Sequence, residues 1–250
     1  EADIAWLDTG DDGHDFTRAM RSAGLDPRPY DLNGNVMYFA TGKVDKSPAE
    51  VEEIMQDVLV DYGVNSKSYA GVETSQNLSR KGDFTTEAGV RKYSKDAGAS
   101  ELSAAMMNGE VVPTERRKGY VQMSGVDYGK NSDEIIEALG TGEISTLADL
   151  NPQGYRFIEA TQEPGGKTDI QAVWSGKGFD AKKMNNTAYK QQAADPNVPA
   201  CVGCERQVRF QSLSPDEPQR SNRWNTKMSI DSTYRFYQSS MARRGWRESG

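Results

Sequence analysis

Tyr155-Arg156-Phe157-Ile158-Glu159-Ala160-Thr161-Gln162-Glu163, then Pro164-Gly165-Gly166-Lys167, then Thr168-Asp169-Ile170-Gln171-Ala172-Val173-Trp174-Ser175 is the stretch that decides the fold class. Two runs rich in β-branched and aromatic residues, separated by four turn-forming residues, predict an antiparallel hairpin. Downstream, residues 180–199 are polar and loop-like, and strands are expected at Val208–Leu213 and Arg223–Met228. Upstream, alternating Tyr120, Gln122 and Ser124 predict a strand over Gly119–Val126, followed by a helix over Ser132–Leu139 capped by Ser132. Residues 119–250 therefore read as a domain with a small antiparallel sheet and one or two covering helices. That is α+β and not a parallel, doubly wound chain.

The N-terminal portion, residues 1–69, predicts a second α+β domain. Phe16, Ala19, Met20 and Ala23 form one helical stripe over residues 12–23, ended by Gly24 and by Asp26-Pro27-Arg28-Pro29. The turn residues Asn33-Gly34 introduce a strand over Asn35–Val44. Ser47-Pro48-Ala49-Glu50 then carries the marks of a helix start: a serine cap, proline in the first turn and a glutamate able to complete a capping box. Val51, Ile54, Met55, Val58, Leu59 and Tyr62 continue as an apolar stripe to Gly63, and a short strand is expected over Val64–Tyr69. Between the two domains, residues 70–118 are polar and glycine-rich, with a short helix at Ala99–Asn108. They read as a linker or an extended excursion.

The helix endings recur. At an offset of 182, Ser47, Ile54, Met55, Leu59 and Gly63-Val64 become Ser229, Phe236, Tyr237, Met241 and Gly245-Trp246. At an offset of 39, Phe16, Met20, Gly24 and Leu25 match Met55, Leu59, Gly63 and Val64. Three such endings suggest a duplicated helix–Gly–strand unit, although helices commonly stop at glycine for purely local reasons.

The bulk properties narrow the function classes. With 250 residues, net charge −7 and mean hydropathy −0.76, the chain has a large polar surface. The longest strongly apolar run, Val36–Ala40, is far too short to span a bilayer. An acidic chain is a poor duplex nucleic-acid binder. Charge is unevenly spread: residues 1–69 hold 14 acids and 6 bases, whereas residues 205–250 hold 5 acids and 9 bases.

Few motifs carry chemistry. Cys201-Val202-Gly203-Cys204 holds both cysteines, a spacing that suits a disulfide, a redox pair or half a zinc site. Zinc would need two further ligands, and the only histidine is His14. Because the motif precedes a predicted strand, no helix dipole is offered to lower a thiol pKa, which favours a structural disulfide. Asp8–Asp15 imitates a calcium loop, but Gly10 and Ala19 occupy positions that require ligands. Gly166-Lys167-Thr168 lacks the glycine and the helix of a phosphate-binding loop. Asn77-Leu78-Ser79 and Asn185-Asn186-Thr187 fit glycosylation sequons. No cofactor or metal is expected.

On the last helix, Tyr234, Tyr237 and Trp246 stand near Arg235, Arg243, Arg244 and Arg247, a combination that suits single-stranded nucleic acid or protein contacts. Of the two, protein contacts made by Tyr234, Trp246 and the four arginines are the favoured reading. Aromatics at helical spacing also fill cores. The expectation is a non-catalytic, protein-binding or structural subunit of an extracytoplasmic assembly. A periplasmic or secreted setting is suggested by the cysteine pair. The partners are expected to be other protein subunits, met through complementary charge, with neither nucleic acid nor a membrane span. The alternatives are a carboxylate-dependent hydrolase of a polysaccharide-like substrate and a thiol-redox protein.

Overall fold

A computed structural model describes residues 14–72, 101–143, 150–185, 198–201, 203–216 and 219–247. Most of the acidic loop at 8–15, both sequons in whole or part, and most of the polar stretches at 70–118 and 180–199 lie outside the described residues. The strands are β1 (Arg28–Leu32), β2 (Asn35–Val44), β3 (Val112–Arg117), β4 (Tyr120–Asp127), β5 (Gly154–Gln162), β6 (Thr168–Ser175), β7 (Glu205–Ser212) and β8 (Arg220–Asn225). The helices are α1 (His14–Ser22), α2 (Pro48–Asp61), α3 (Glu101–Met107), α4 (Ser132–Thr141), α5 (Ala181–Asn185) and α6 (Ile230–Ala242).

The strands follow the hydrogen-bonded order β3-β4-β5-β6-β2-β1-β7-β8 in a sheet with antiparallel pairings. The α+β class is as expected, but this is one large sheet instead of small ones. Short turns at 118–119 and 163–167 return the chain beside the strand it has just left, so each hairpin extends a sheet already begun. The chain divides into two compact units, residues 1–29 with 35–181 and residues 30–34 with 182–250.

The first unit packs α1 and α2 against the strands β2, β6, β5 and β4. Its core joins Phe16, Met20, Val51, Met55 and Leu59 to Met123, Ile158, Ile170 and Trp174. Trp174 is fully buried, and its indole donates to Thr17 Oγ1 at 3.0 Å. Phe16 meets the same ring edge-on and Tyr38 stacks on it. The register explains why: Tyr38 lies opposite Trp174, Ala40 opposite Ala172 and Gly42 opposite Ile170. A Cβ at Gly42 would come within 2.5 Å of Leu25 Cδ2, so a larger residue there would have to displace the buried Leu25 side chain.

The local signals at α2 are realised in full. Ser47 caps the helix, its side chain accepting from Glu50 N while the Glu50 carboxylate accepts from Ser47 N. These bonds hold the Glu50 carboxyl below its usual range. The cap of α4 is Asn131, one residue earlier than expected, because Asn131 and Glu134 form their own capping box.

Val64–Tyr69 is not a strand. Asn65 and the Tyr69 backbone instead turn inward to a buried polar cluster. Gln56 donates to Val111 O at 2.8 Å, Asn65 donates to Gln56 Oε1 at 3.1 Å, and Tyr69 N donates to the same Gln56 oxygen at 3.0 Å. Those backbone groups are satisfied by side chains and not by a ladder. β1, which carries Pro29, was not anticipated from the sequence.

The duplicated unit does not extend beyond the helix ends. Leu25 N bonds Met20 O, Val64 N bonds Leu59 O and Trp246 N bonds Met241 O, with Gly24, Gly63 and Gly245 at φ of 82°, 70° and 84°. This is one glycine-dependent closure used three times. The strands expected after these closures do not recur: β1 begins three residues after Leu25, and the residues after Val64 form bends.

Candidate functional site

The second unit carries both residue groups singled out from the sequence, the cysteine pair and the last helix, and a short strand ladder holds them. Tyr30, Asp31 and Leu32 of β1 pair with Ser212, Gln211 and Phe210 of β7. Asn33 and Gly34, at φ of 52° and 83°, form the turn that ends β1. The Asn33 side chain accepts from Arg209 N at 2.8 Å, fastening that turn to β7. Tyr30 stacks on Phe210 with centroids 4.5 Å apart. β8 completes the three-stranded portion, and Arg206 lies directly opposite Trp224 with its guanidinium over the ring at 5.6 Å.

Cys201 and Cys204 stand at disulfide distance, with Cα atoms 5.3 Å apart, and Cys204 N donates back to Cys201 O. Cys201 is buried, and β7 comes directly after the pair. The pair therefore closes a short loop at a strand entry. The Tyr237 hydroxyl of α6 lies 3.9 Å from Cys201 Sγ, and burial pushes its pKa up. The disulfide thus anchors the inner face of the last helix. A groove of about 370 Å³ runs beside it, lined by residues that include Cys201, Asn222, Trp224, Thr233 and Tyr237.

Ser229 starts α6, its hydroxyl accepting from Ser232 N. The face that meets the unit holds Thr233, Phe236, Tyr237, Ser240 and Met241, all buried or half-buried. That is one narrow stripe at helical spacing. The residues singled out for protein contact lie elsewhere. Tyr234 is 54% exposed and Trp246 52% exposed, and Ile230, one turn before Tyr234, is 88% exposed. Arg235, Arg243, Arg244 and Arg247 are all exposed. Arg243 and Arg244 reach back to Ser239 O and Ser240 O, which suits the negative end of the helix dipole. Among the described residues, no carboxylate lies within ion-pairing distance of these four arginines.

Among the described residues, five large apolar side chains are exposed, and three of them belong to this one segment. Sequence reading missed Ile230, because a single isoleucine at the first helical position breaks no pattern. It marked Tyr234 and Trp246 without separating a contact role from a core role.

A second groove, of about 540 Å³ in the first unit, is bordered by Glu52, Glu53, Arg116 and Tyr120. The Glu52 carboxylate there is buried and engaged by both Nε and Nη2 of Arg116. A carboxylate held in a bidentate ion pair is poorly placed to act as a general acid or base. Among the described residues no cluster of three or more His, Cys, Asp or Glu side chains is placed to hold a metal ion, and no helix is long and apolar enough to cross a membrane. The chain matches no protein-family model, and comparison with curated proteins and with solved structures returns no match either.

Proposed function

We propose that this protein is a non-catalytic, protein-binding subunit of an extracytoplasmic assembly, with α6 as its contact element. The observation that carries the reading is the segment Ile230–Arg247. Exposed Ile230, Tyr234 and Trp246 stand among four exposed arginines that have no described carboxylate partner. Aromatic residues and arginine are the types enriched where interfaces bind most strongly. A disulfide-distance cysteine pair behind that helix is compatible with an oxidising compartment. The hydrolase reading has less support, since Glu52 is committed to Arg116. The redox reading has less support too, since the cysteine pair leads into a strand.

The test is the native size of the protein in gently lysed source cells, by size fractionation with mass spectrometry. The expected result is migration in a particle much larger than the 27.6 kDa chain, with co-migrating subunits. Migration as a lone chain would overturn the reading.

A further inference from the structure

We propose that the exposed face of α6 docks residues 1–13 of a second copy of this chain, joining copies head to tail. This rests on the contact reading of α6 and names its occupant. Residues 1–13 read Glu1-Ala2-Asp3-Ile4-Ala5-Trp6-Leu7-Asp8-Thr9-Gly10-Asp11-Asp12-Gly13. They hold five acids and no lysine or arginine, and the acids bracket the apolar group Ile4, Trp6 and Leu7. The α6 segment has the complementary layout, with apolar Ile230, Tyr234 and Trp246 among Arg235, Arg243, Arg244 and Arg247.

Each side thus offers an apolar group to remove from water and charges of the opposite sign to fix its placement. The other acid-dense stretch of the N-terminal part is α2, and its apolar face is already used in the core of the first unit. An acidic segment near one end of the chain and a basic helix near the other form a heterologous pair of surfaces. Such a pair builds open chains or closed rings, the smallest ring being two copies that exchange segments reciprocally.

Sedimentation of the purified full chain tests this. At about 50 mM salt the expected result is a concentration-dependent series of oligomers. At about 500 mM salt the series collapses at least about tenfold toward monomer, since screening acts within a few ångström there. A complementation experiment identifies the two surfaces. One variant carries Asp3→Asn, Asp8→Asn, Asp11→Asn and Asp12→Asn; the other carries R243E, R244E, R247E and Trp246→Ala. Each alone is expected to sediment as a monomer, and their mixture as a heterodimer with nothing larger. Oligomers that persist in either variant alone overturn the assignment.

A full chain that stays monomeric at low salt also overturns it. So does a synthetic peptide of residues 1–13 that binds only a chain lacking them, since that places the segment on its own copy. A chain that is monomeric when pure but resides in a large particle in lysate overturns this inference while leaving the proposed function standing.

Discussion

Helices α2 and α6 end in the same way and are treated very differently by their surroundings. Both close on a glycine with positive φ, and in both the next residue's N–H returns to a carbonyl five residues back. After Gly63, Val64 is 9% exposed and joins the core; after Gly245, Trp246 is 52% exposed. The backbone closure is therefore indifferent to the fate of the residue after the glycine. Burial is decided by whether another layer is present, and in the first unit the sheet supplies it. At the equivalent position of α6 a larger aromatic side chain is left half in water.

The sharpest way to break that contrast is to truncate the matched anchors. Leu59→Ala, at a fully buried position, is expected to cost about 2–5 kcal/mol in chemical denaturation. Met241→Ala, its counterpart on α6, is expected to cost about 1 kcal/mol, because the half-buried side chain leaves a smaller cavity. Equal losses would show that α6 is packed as firmly as α2.

Next in size is the cysteine pair. Replacing both Cys201 and Cys204 by serine should weaken the second unit by about 2 kcal/mol, the entropy of closing so short a loop. The expected readout is hydrogen exchange about thirtyfold faster in β7 and β8, with β5 and β6 unchanged. Acceleration in β5 and β6 as well would mean that the two units do not open separately.

The smallest effect is confined to alkaline pH. Burial, with Glu110 accepting from its hydroxyl at 2.7 Å, pushes the Tyr69 pKa up to about 12 from an ordinary 10. Because the folded value is the higher one, this contribution is complete below pH 10 and is lost as pH rises through about 12. Tyr69→Phe is expected to flatten that window in a stability–pH series. An unchanged alkaline limb would place the titrating group elsewhere.

Legibility in the sequence extended to features that neighbouring residues decide among themselves. The Ser47–Glu50 capping box, the Asn33-Gly34 turn and the hairpin around Pro164–Lys167 all close within a few residues, and all stand where the pattern put them. The misses depend on distant partners. β1 contains a proline and only five residues, and it is a strand because β7 lies alongside it. Val64–Tyr69 has strand-like composition but answers to Gln56 and Val111, which no local rule could supply. The candidate surface was half legible: helical spacing located Tyr234 and Trp246, but spacing alone cannot say which stripe of a helix finds a cover.

The membership of β1 has a consequence for synthesis. Tyr30–Gly34 belongs to the second unit, whose other residues begin at Lys182. A ribosome making this chain therefore delivers one strand of that unit long before β7, its hydrogen-bonding neighbour. At about 5–20 residues per second, Tyr30–Leu32 waits roughly ten to forty seconds with an open edge. For that interval its edge toward β7 is unpaired, the situation in which nascent chains pair with one another. Brevity, Pro29 and the charges of Arg28 and Asp31 are the safeguards the strand itself carries through that wait.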